Sequence, residues 1–173
     1  LSAGLDRVPL DYIKSHNIKL FNARGVYSIP MAEFAVCGVL QLYKNSKFFY
    51  ENQKNQSWIK DRKLLELFGR RVCIIGTGNV GTEIAKRFSA FTDEVYGVDL
   101  YQSANNCFKC IYPLDMLDEE LQKSDIVILS LPLTKQTKNM FGKEQFSLMK
   151  EGSVFVNISR GGITDEHALF DAL

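Results

Sequence analysis

An α/β fold built on a doubly wound parallel sheet is what the sequence predicts, on three observations. From residue 70 onward short apolar runs alternate regularly with helical patterns, the runs are apolar throughout, and a glycine-rich turn joins the first run to the first helix. A strand covered on both faces has no polar side, so Val127-Ile-Leu129 and Val154-Phe-Val156 read as parallel strands beneath helices. The 173 residues suffice for one domain with a substantial core.

Taken in order, Leu1-Ser2-Ala3-Gly4 reads as a strand end running into a turn, so the sequence is expected to start inside a fold. Pro9 to Ser15 fits a short helix and Ile18-Lys-Leu-Phe21 a strand, together one small α/β unit. Asn22-Ala-Arg-Gly25 and Ser28-Ile-Pro30 punctuate the chain. Met31 to Tyr50 then has almost no breaker and is densely apolar at Phe34, Val36, Val39, Leu40 and Tyr43, which predicts one long helix fed through a hinge. Its apolar residues cover more than one face, so it is expected to pack on two surfaces, one of them in a second subunit. Polar residues Asn52 to Lys60, with Trp58 among them, link it to the main unit. Strands are predicted at 71–76, 94–99, 126–131 and 154–158, with a weaker one at 108–112 and helices between.

Charge narrows the partners. With 21 basic and 20 acidic side chains the formal charge is +1, so no broad positive field exists for nucleic acid or anionic lipid. No apolar run is long enough to span a bilayer and no signal-peptide pattern is present, so a cytoplasmic location and small-molecule partners are expected. The four cysteines are scattered and imply no disulfide framework. Cys107-Phe-Lys-Cys110 has the spacing of a redox or zinc half-site, but zinc needs about four protein ligands and there is no second pair, so no metal site is expected.

The chemistry begins at Gly76-Thr-Gly78-Asn-Val-Gly81. It follows an apolar strand and opens a helix whose inward stripe is Val80, Ile84 and Phe88. In that context Gly76 permits the tight turn, Gly78 lets a pyrophosphate approach the backbone, and Gly81 lets the helix lie close on the strand, while the helix amides meet the phosphate charge. Asp99 ends the next strand where an acid is expected to accept hydrogen bonds from an adenosine ribose. Leu100, Tyr101 and Gln102 follow with no arginine for a 2′-phosphate, so NAD is expected rather than NADP.

With these residues in view, nearly the whole chain resembles the D-isomer-specific 2-hydroxyacid dehydrogenases, which include D-lactate, D-3-phosphoglycerate and glycerate dehydrogenases. Ser2-Ala-Gly-Leu-Asp6 resembles the family's loop before the hinge, Met31-Ala-Glu33 the start of its interdomain helix, and Ser130-Leu-Pro-Leu-Thr-Lys-Gln-Thr137 its post-strand cofactor loop. Val156-Asn-Ile-Ser-Arg160-Gly-Gly-Ile-Thr-Asp165 resembles its strand-end segment bearing the catalytic arginine. The resemblance implies a Rossmann-type cofactor domain over 25–173, and over 1–24 a small remnant of a flavodoxin-like substrate domain. It implies that Gly76, Gly78, Asn79, Val80, Gly81 and Asp99 bind NAD, that Leu131, Pro132 and Thr137 border the adenosine and pyrophosphate, and that Ile158 and Ser159 lie against the nicotinamide side. Backbone groups of Ala3 and Gly4 would help hold the substrate carboxylate. Arg160 would be catalytic, binding the carboxylate and the reacting C2 oxygen of a 2-keto or D-2-hydroxy acid, a task suited to a planar fork of donors. Relatives pair through the cofactor domain and its long helix, so a homodimer is expected.

The family's reaction also needs a histidine as general acid/base and a glutamate that raises its pKa, both C-terminal to the arginine in relatives. Of the two histidines here, His16 falls in the small first unit and reads as a surface residue, and His167 lies in a helical first turn with Asp165 near its cap. The chain is therefore expected to be a piece of a longer dehydrogenase, inactive alone, with an apolar edge at 154–158. A second reading is an NAD(H)-sensing corepressor-like scaffold on the same fold. A downstream glutamate and Pro-His pair would separate the enzyme from it.

Overall fold

Strand formation here follows burial. In a computed structural model that describes residues 3–5 and 8–173, the sheet strands are β1 (Val72–Ile75), β2 (Val95–Val98), β3 (Cys110–Tyr112), β4 (Ile126–Leu129) and β5 (Val154–Asn157). Each lies within two residues of the position its apolar run predicts. Leu1, Ser2 and Asp6, which belong to the expected opening turn and loop, lie outside the described residues.

All five strands are parallel, in the order β3-β2-β1-β4-β5, with Val72 beside Val95 on one side and Ile126 on the other. The chain builds outward from β1 to β3, then crosses back to β4 and builds the other way. Between β1 and β4 the connections leave in opposite directions, which opens a crevice at their carboxyl ends.

Alternation sends successive side chains of β1 to opposite faces. Val72 and Ile74 join a core with Ala32, Ala35 and Val39 of α2 (Ser28–Tyr43) and Ile84 and Phe88 of α4 (Asn79–Phe88). Cys73 and Ile75 join the opposite core with Leu117 and Leu121 of α5 (Leu117–Lys123), Phe141 and Ile163. The inward stripe read from the sequence is seen in α4, where Ile84 and Phe88 are fully buried, each worth roughly 1.5–3 kcal/mol relative to exposure.

Two expectations are corrected. The helix predicted over Met31 to Tyr50 is two helices, α2 and α3 (Ser46–Lys54), because Asn45 takes a left-handed conformation at φ 46°. Asparagine tolerates that region, and its Nδ2 donates to Asp61 Oδ2 at 2.8 Å, while Lys44 Nζ donates to the Leu65 carbonyl at 2.7 Å. Pro30 sits in the first turn of α2, where its missing N–H leaves no helical bond unmade, so the helix starts earlier than expected. The strand predicted at Ile18–Phe21 is also not formed. After α1 (Leu10–Ser15) this segment has no neighbouring strand to pair with among the described residues, and Ile18, Leu20 and Phe21 stay exposed.

The amino ends of the strands carry an ion-pair lattice. Arg71, just before β1, donates from Nη2 to the fully buried Glu120 at 2.7 Å and lies 3.5 Å over the Tyr96 ring. Tyr96 donates to Glu94 at 2.9 Å, and Lys109 also pairs with Glu94. The Arg71 amide and Lys150 both donate to Asp125, at 2.9 and 3.0 Å. Burial pushes the Cys73 thiol nearby up to about 12, so it behaves as a core side chain. The four cysteines are free thiols, and the described residues contain no cluster able to hold a metal and no helix long and apolar enough to cross a membrane.

Candidate functional site

The carboxyl ends of β1, β2, β4 and β5 carry the residues singled out in the sequence. After β1, Gly76 has φ +94°, and a Cβ there would fall 2.8 Å from the Ser130 carbonyl oxygen. A Cβ on Gly81 would lie 2.0 Å from the Gly76 carbonyl oxygen, so α4 approaches the turn itself as closely as backbone allows. Gly78 is different in kind. Among the described residues nothing lies within 4 Å of its Cβ position, and no side chain caps the α4 amides behind it.

Asp99 follows β2 and faces this turn. Its Oδ2 accepts from the Thr77 amide at 2.7 Å and from Thr77 Oγ1 at 3.0 Å, and its Oδ1 from the Tyr101 amide at 3.1 Å. Thr82 Oγ1 donates to the Thr77 carbonyl at 3.1 Å and accepts from Asn105 Nδ2 at 2.9 Å, which ties the loop after Asp99 to the first turn of α4.

Beyond β4, Ser130 Oγ donates to the Gly76 carbonyl at 2.5 Å across the crevice. The Leu131-Pro132 loop is closed on itself by Thr137, whose Oγ1 donates to the Pro132 carbonyl at 2.7 Å and accepts from the Thr134 amide at 2.8 Å. At the end of β5, Asn157 accepts from the Ser159 amide at 2.9 Å and donates from Nδ2 to the Arg160 carbonyl and Thr164 Oγ1, both at 3.0 Å. This holds Arg160 at the mouth of the crevice, half-buried, with its Nη1 donating to the Ser159 carbonyl at 2.9 Å.

These ends enclose one cleft with two lobes that share Ala3, Met31, Val80, Ile158 and Arg160. One lobe, about 560 Å³, reaches Tyr27, Ser28 and Phe34 at the start of α2. The other, about 530 Å³, reaches Gly4, Ser130, Leu131, Pro132 and Ser159. Among the expected site residues, Ala3, Gly4, Val80, Leu131, Pro132, Ile158, Ser159 and Arg160 are thus brought together around the cleft. Gly76, Gly78, Gly81 and Asp99 form the adjoining turn, and Asn79 borders a smaller hollow of about 310 Å³ with Gly25, Ser28 and Thr82. Thr137 braces the loop from behind. The Oγ atoms of Ser28 and Ser159 are buried with no hydrogen-bond partner among the described residues.

His16 is exposed and stacked on Tyr12 at 4.0 Å, and His167 is exposed in the first turn of α7 (Glu166–Ala172), capped by Asp165. Neither lines the cleft. The sequence singles out no individual role for Thr77, Ser130 or Asn157. The available signal is position alone, a small polar residue inside a glycine turn or at a strand end; Asn157 bonds nearby groups of its own loop, while Thr77 and Ser130 reach Asp99 and Gly76 from other strand ends.

Residues 36–173 match the family described as "D-isomer specific 2-hydroxyacid dehydrogenase, NAD binding domain". The chain is 31% identical over 172 residues to D-3-phosphoglycerate dehydrogenase of Methanocaldococcus jannaschii, covering 98% of this chain and 33% of that protein. It is 32% identical over 169 residues to hydroxypyruvate reductase of Thermotoga maritima, covering 97% and 54%. The crystal structure of D-lactate dehydrogenase from Aquifex aeolicus complexed with NAD and lactic acid superposes with a TM-score of 0.88 at 32% identity, over 99% of this chain and 52% of that one. The chain therefore spans between a third and about half the length of these relatives. It belongs to the D-isomer specific 2-hydroxyacid dehydrogenases, as their NAD-binding domain.

Proposed function

We propose that this chain is the cofactor-binding part of an NAD-dependent D-2-hydroxyacid dehydrogenase, which interconverts a 2-keto acid and a D-2-hydroxy acid. The observation that carries the reading is the cleft at the crevice between β1 and β4, with Arg160 at its mouth and the glycine turn at its side. NAD, when bound, takes or supplies the hydride.

The residues fit that group. Open space at Gly78, uncapped α4 amides and the Asp99 carboxylate suit in turn a pyrophosphate and a ribose diol. Leu131 and Pro132 border the adenosine and pyrophosphate with Thr137 bracing them, and Ile158 and Ser159 flank the nicotinamide end. Arg160, with backbone groups of Ala3 and Gly4, binds the substrate carboxylate and C2 oxygen and fixes C2 for attack. Proton transfer at that oxygen requires a titrating group within reach, which neither His16 nor His167 supplies from its position. The chain alone is therefore expected to bind NADH without turning it over.

The test has two parts. Calorimetric titration of the chain with NADH should give saturable binding. The protein that carries this domain, assayed with a panel of 2-keto acids, should oxidise NADH with at least one of them, and failure with every acid sinks the proposal.

A homodimer in the cytoplasm belongs to the same proposal. Leu42 of α2, with Trp58 and Phe68, leaves large apolar side chains exposed, as a helix shared with a second copy would. Four free thiols suit a reducing compartment. Sedimentation should give twice the chain mass, and fractionation should return the protein with the soluble cytoplasmic pool.

A further inference from the structure

In a glycine turn of this kind the residue between the first two glycines is chemically unconstrained, since its backbone does the work. Here it is Thr77, buried and turned onto Asp99. Its amide and its hydroxyl both donate to the same carboxylate oxygen, at 2.7 and 3.0 Å, while Tyr101 holds the other oxygen. Any residue but proline at position 77 would offer the amide. Only a hydroxyl side chain offers the second bond.

Room for that side chain is built into β2. A Cβ on Gly97 would fall 2.5 Å from Thr77 Cγ2, so the glycine there leaves the space the threonine methyl occupies. The carboxylate has about four acceptor directions, and three donors fix its plane while leaving acceptor capacity on its outer side. A carboxylate so fixed accepts from a ribose diol without first being oriented. It also cannot swing away from the negative charge of a 2′-phosphate.

We propose that Thr77 is a positioning residue for cofactor choice, holding the Asp99 carboxylate in the orientation that accepts NAD and repels NADP. The inference rests on the assignment of Asp99 to the adenosine ribose made above. Loss of the hydroxyl leaves one amide on each carboxylate oxygen, which loosens the carboxylate, weakens the diol bond and relaxes the repulsion. A threonine that merely filled the turn would, on removal, weaken both dinucleotides alike.

The experiment measures dissociation constants for NADH and NADPH by titration calorimetry on the chain and on Thr77→Val, Thr77→Ala, Thr77→Ser and Asp99→Ala, with thermal melts to confirm folding. The wild type should prefer NADH. Thr77→Val and Thr77→Ala should each cut that preference roughly fivefold to tenfold, the range of one hydrogen bond, and Thr77→Ser should restore it. Asp99→Ala should abolish it. If Asp99→Ala collapses the preference while the valine and alanine variants keep it, or lose affinity for both dinucleotides equally, the role of Thr77 is wrong and that of Asp99 stands. If Asp99→Ala leaves the preference intact, the ribose assignment falls and the Thr77 proposal with it. Two replacements of different volume guard against one that does not fold.

Discussion

Ser130 Oγ donates to the Gly76 carbonyl oxygen at 2.5 Å, a bond that joins the end of β4 to the turn after β1 across the crevice. The pair lies at the one place in the sheet where successive connections diverge, and it carries the β1–β4 pairing, whose last backbone bond is Ser130 N to Ile75 O at 2.9 Å, one step further into the turn. Ser130→Ala removes one partly buried bond. The expected loss is about 1 kcal/mol, a fall of roughly 2–4 °C in Tm, with weaker NADH binding from the loosened turn. Differential scanning calorimetry and NADH titration check the two parts separately.

Gly78 and Gly81 predict opposite outcomes for the same substitution. Gly81→Ala places a Cβ 2.0 Å from the Gly76 carbonyl, a backbone atom, so the helix must move; stability should fall by about 3 kcal/mol or more. Gly78→Ala meets nothing in the protein and should melt within about 0.5 kcal/mol of wild type while losing NADH affinity by roughly tenfold or more. Equal damage to folding from both would contradict the assignment of the space beside Gly78 to a ligand.

Arg160→Lys keeps a positive charge and loses the planar fork. NADH binding should be retained, and kcat/KM for the 2-keto acid in the protein carrying this domain should drop by about 1.5–3 kcal/mol, roughly 10- to 150-fold. A variant of unchanged kcat/KM removes Arg160 from substrate binding.

Acid should destabilise the fold through its carboxylates. Burial pushes Asp125 up, but the Arg71 amide and Lys150 together outweigh it and hold its pKa below the ordinary 3.8. Hydrogen bonds from Lys109 and Tyr96 lower Glu94 from 4.5. Groups whose folded pKa is depressed contribute fully above the unfolded value and lose that contribution as pH falls through the folded value. Tm should be flat above about pH 5 and decline below about pH 4, with a shallower decline in Asp125→Asn.

Strands were legible because burial on both faces leaves a contiguous apolar run, as in Val72–Ile75 and Ile126–Leu129. The break after α2 was not, since the apolar pattern runs on through Phe48, Phe49 and Tyr50 and one asparagine marks the turn. Ile18–Phe21 misled for the converse reason, because an apolar run predicts a strand only where a neighbour exists to pair with it. In the site, Gly76, Gly81 and Arg160 were legible through motif and order. Thr77 and Ser130 act by hydrogen bonds to groups brought near by the fold, 22 and 54 residues away, whereas Asn157 bonds groups two to seven residues along its own strand-end loop.

Arg71→Met should cost about 3–5 kcal/mol, since it strands the buried Glu120, and Arg71→Met with Glu120→Leu should recover much of that in chemical denaturation. Neither variant should change NADH affinity, because the lattice they disturb lies at the far rim of the sheet. Cohesion and recognition thus occupy opposite rims of one slab. Outside the backbone contacts that close the glycine turn, substitutions that retune the ligand at one rim need not be screened against the anchorage at the other, which leaves positions such as Gly78 open to change in what the domain binds at little hazard to whether it folds.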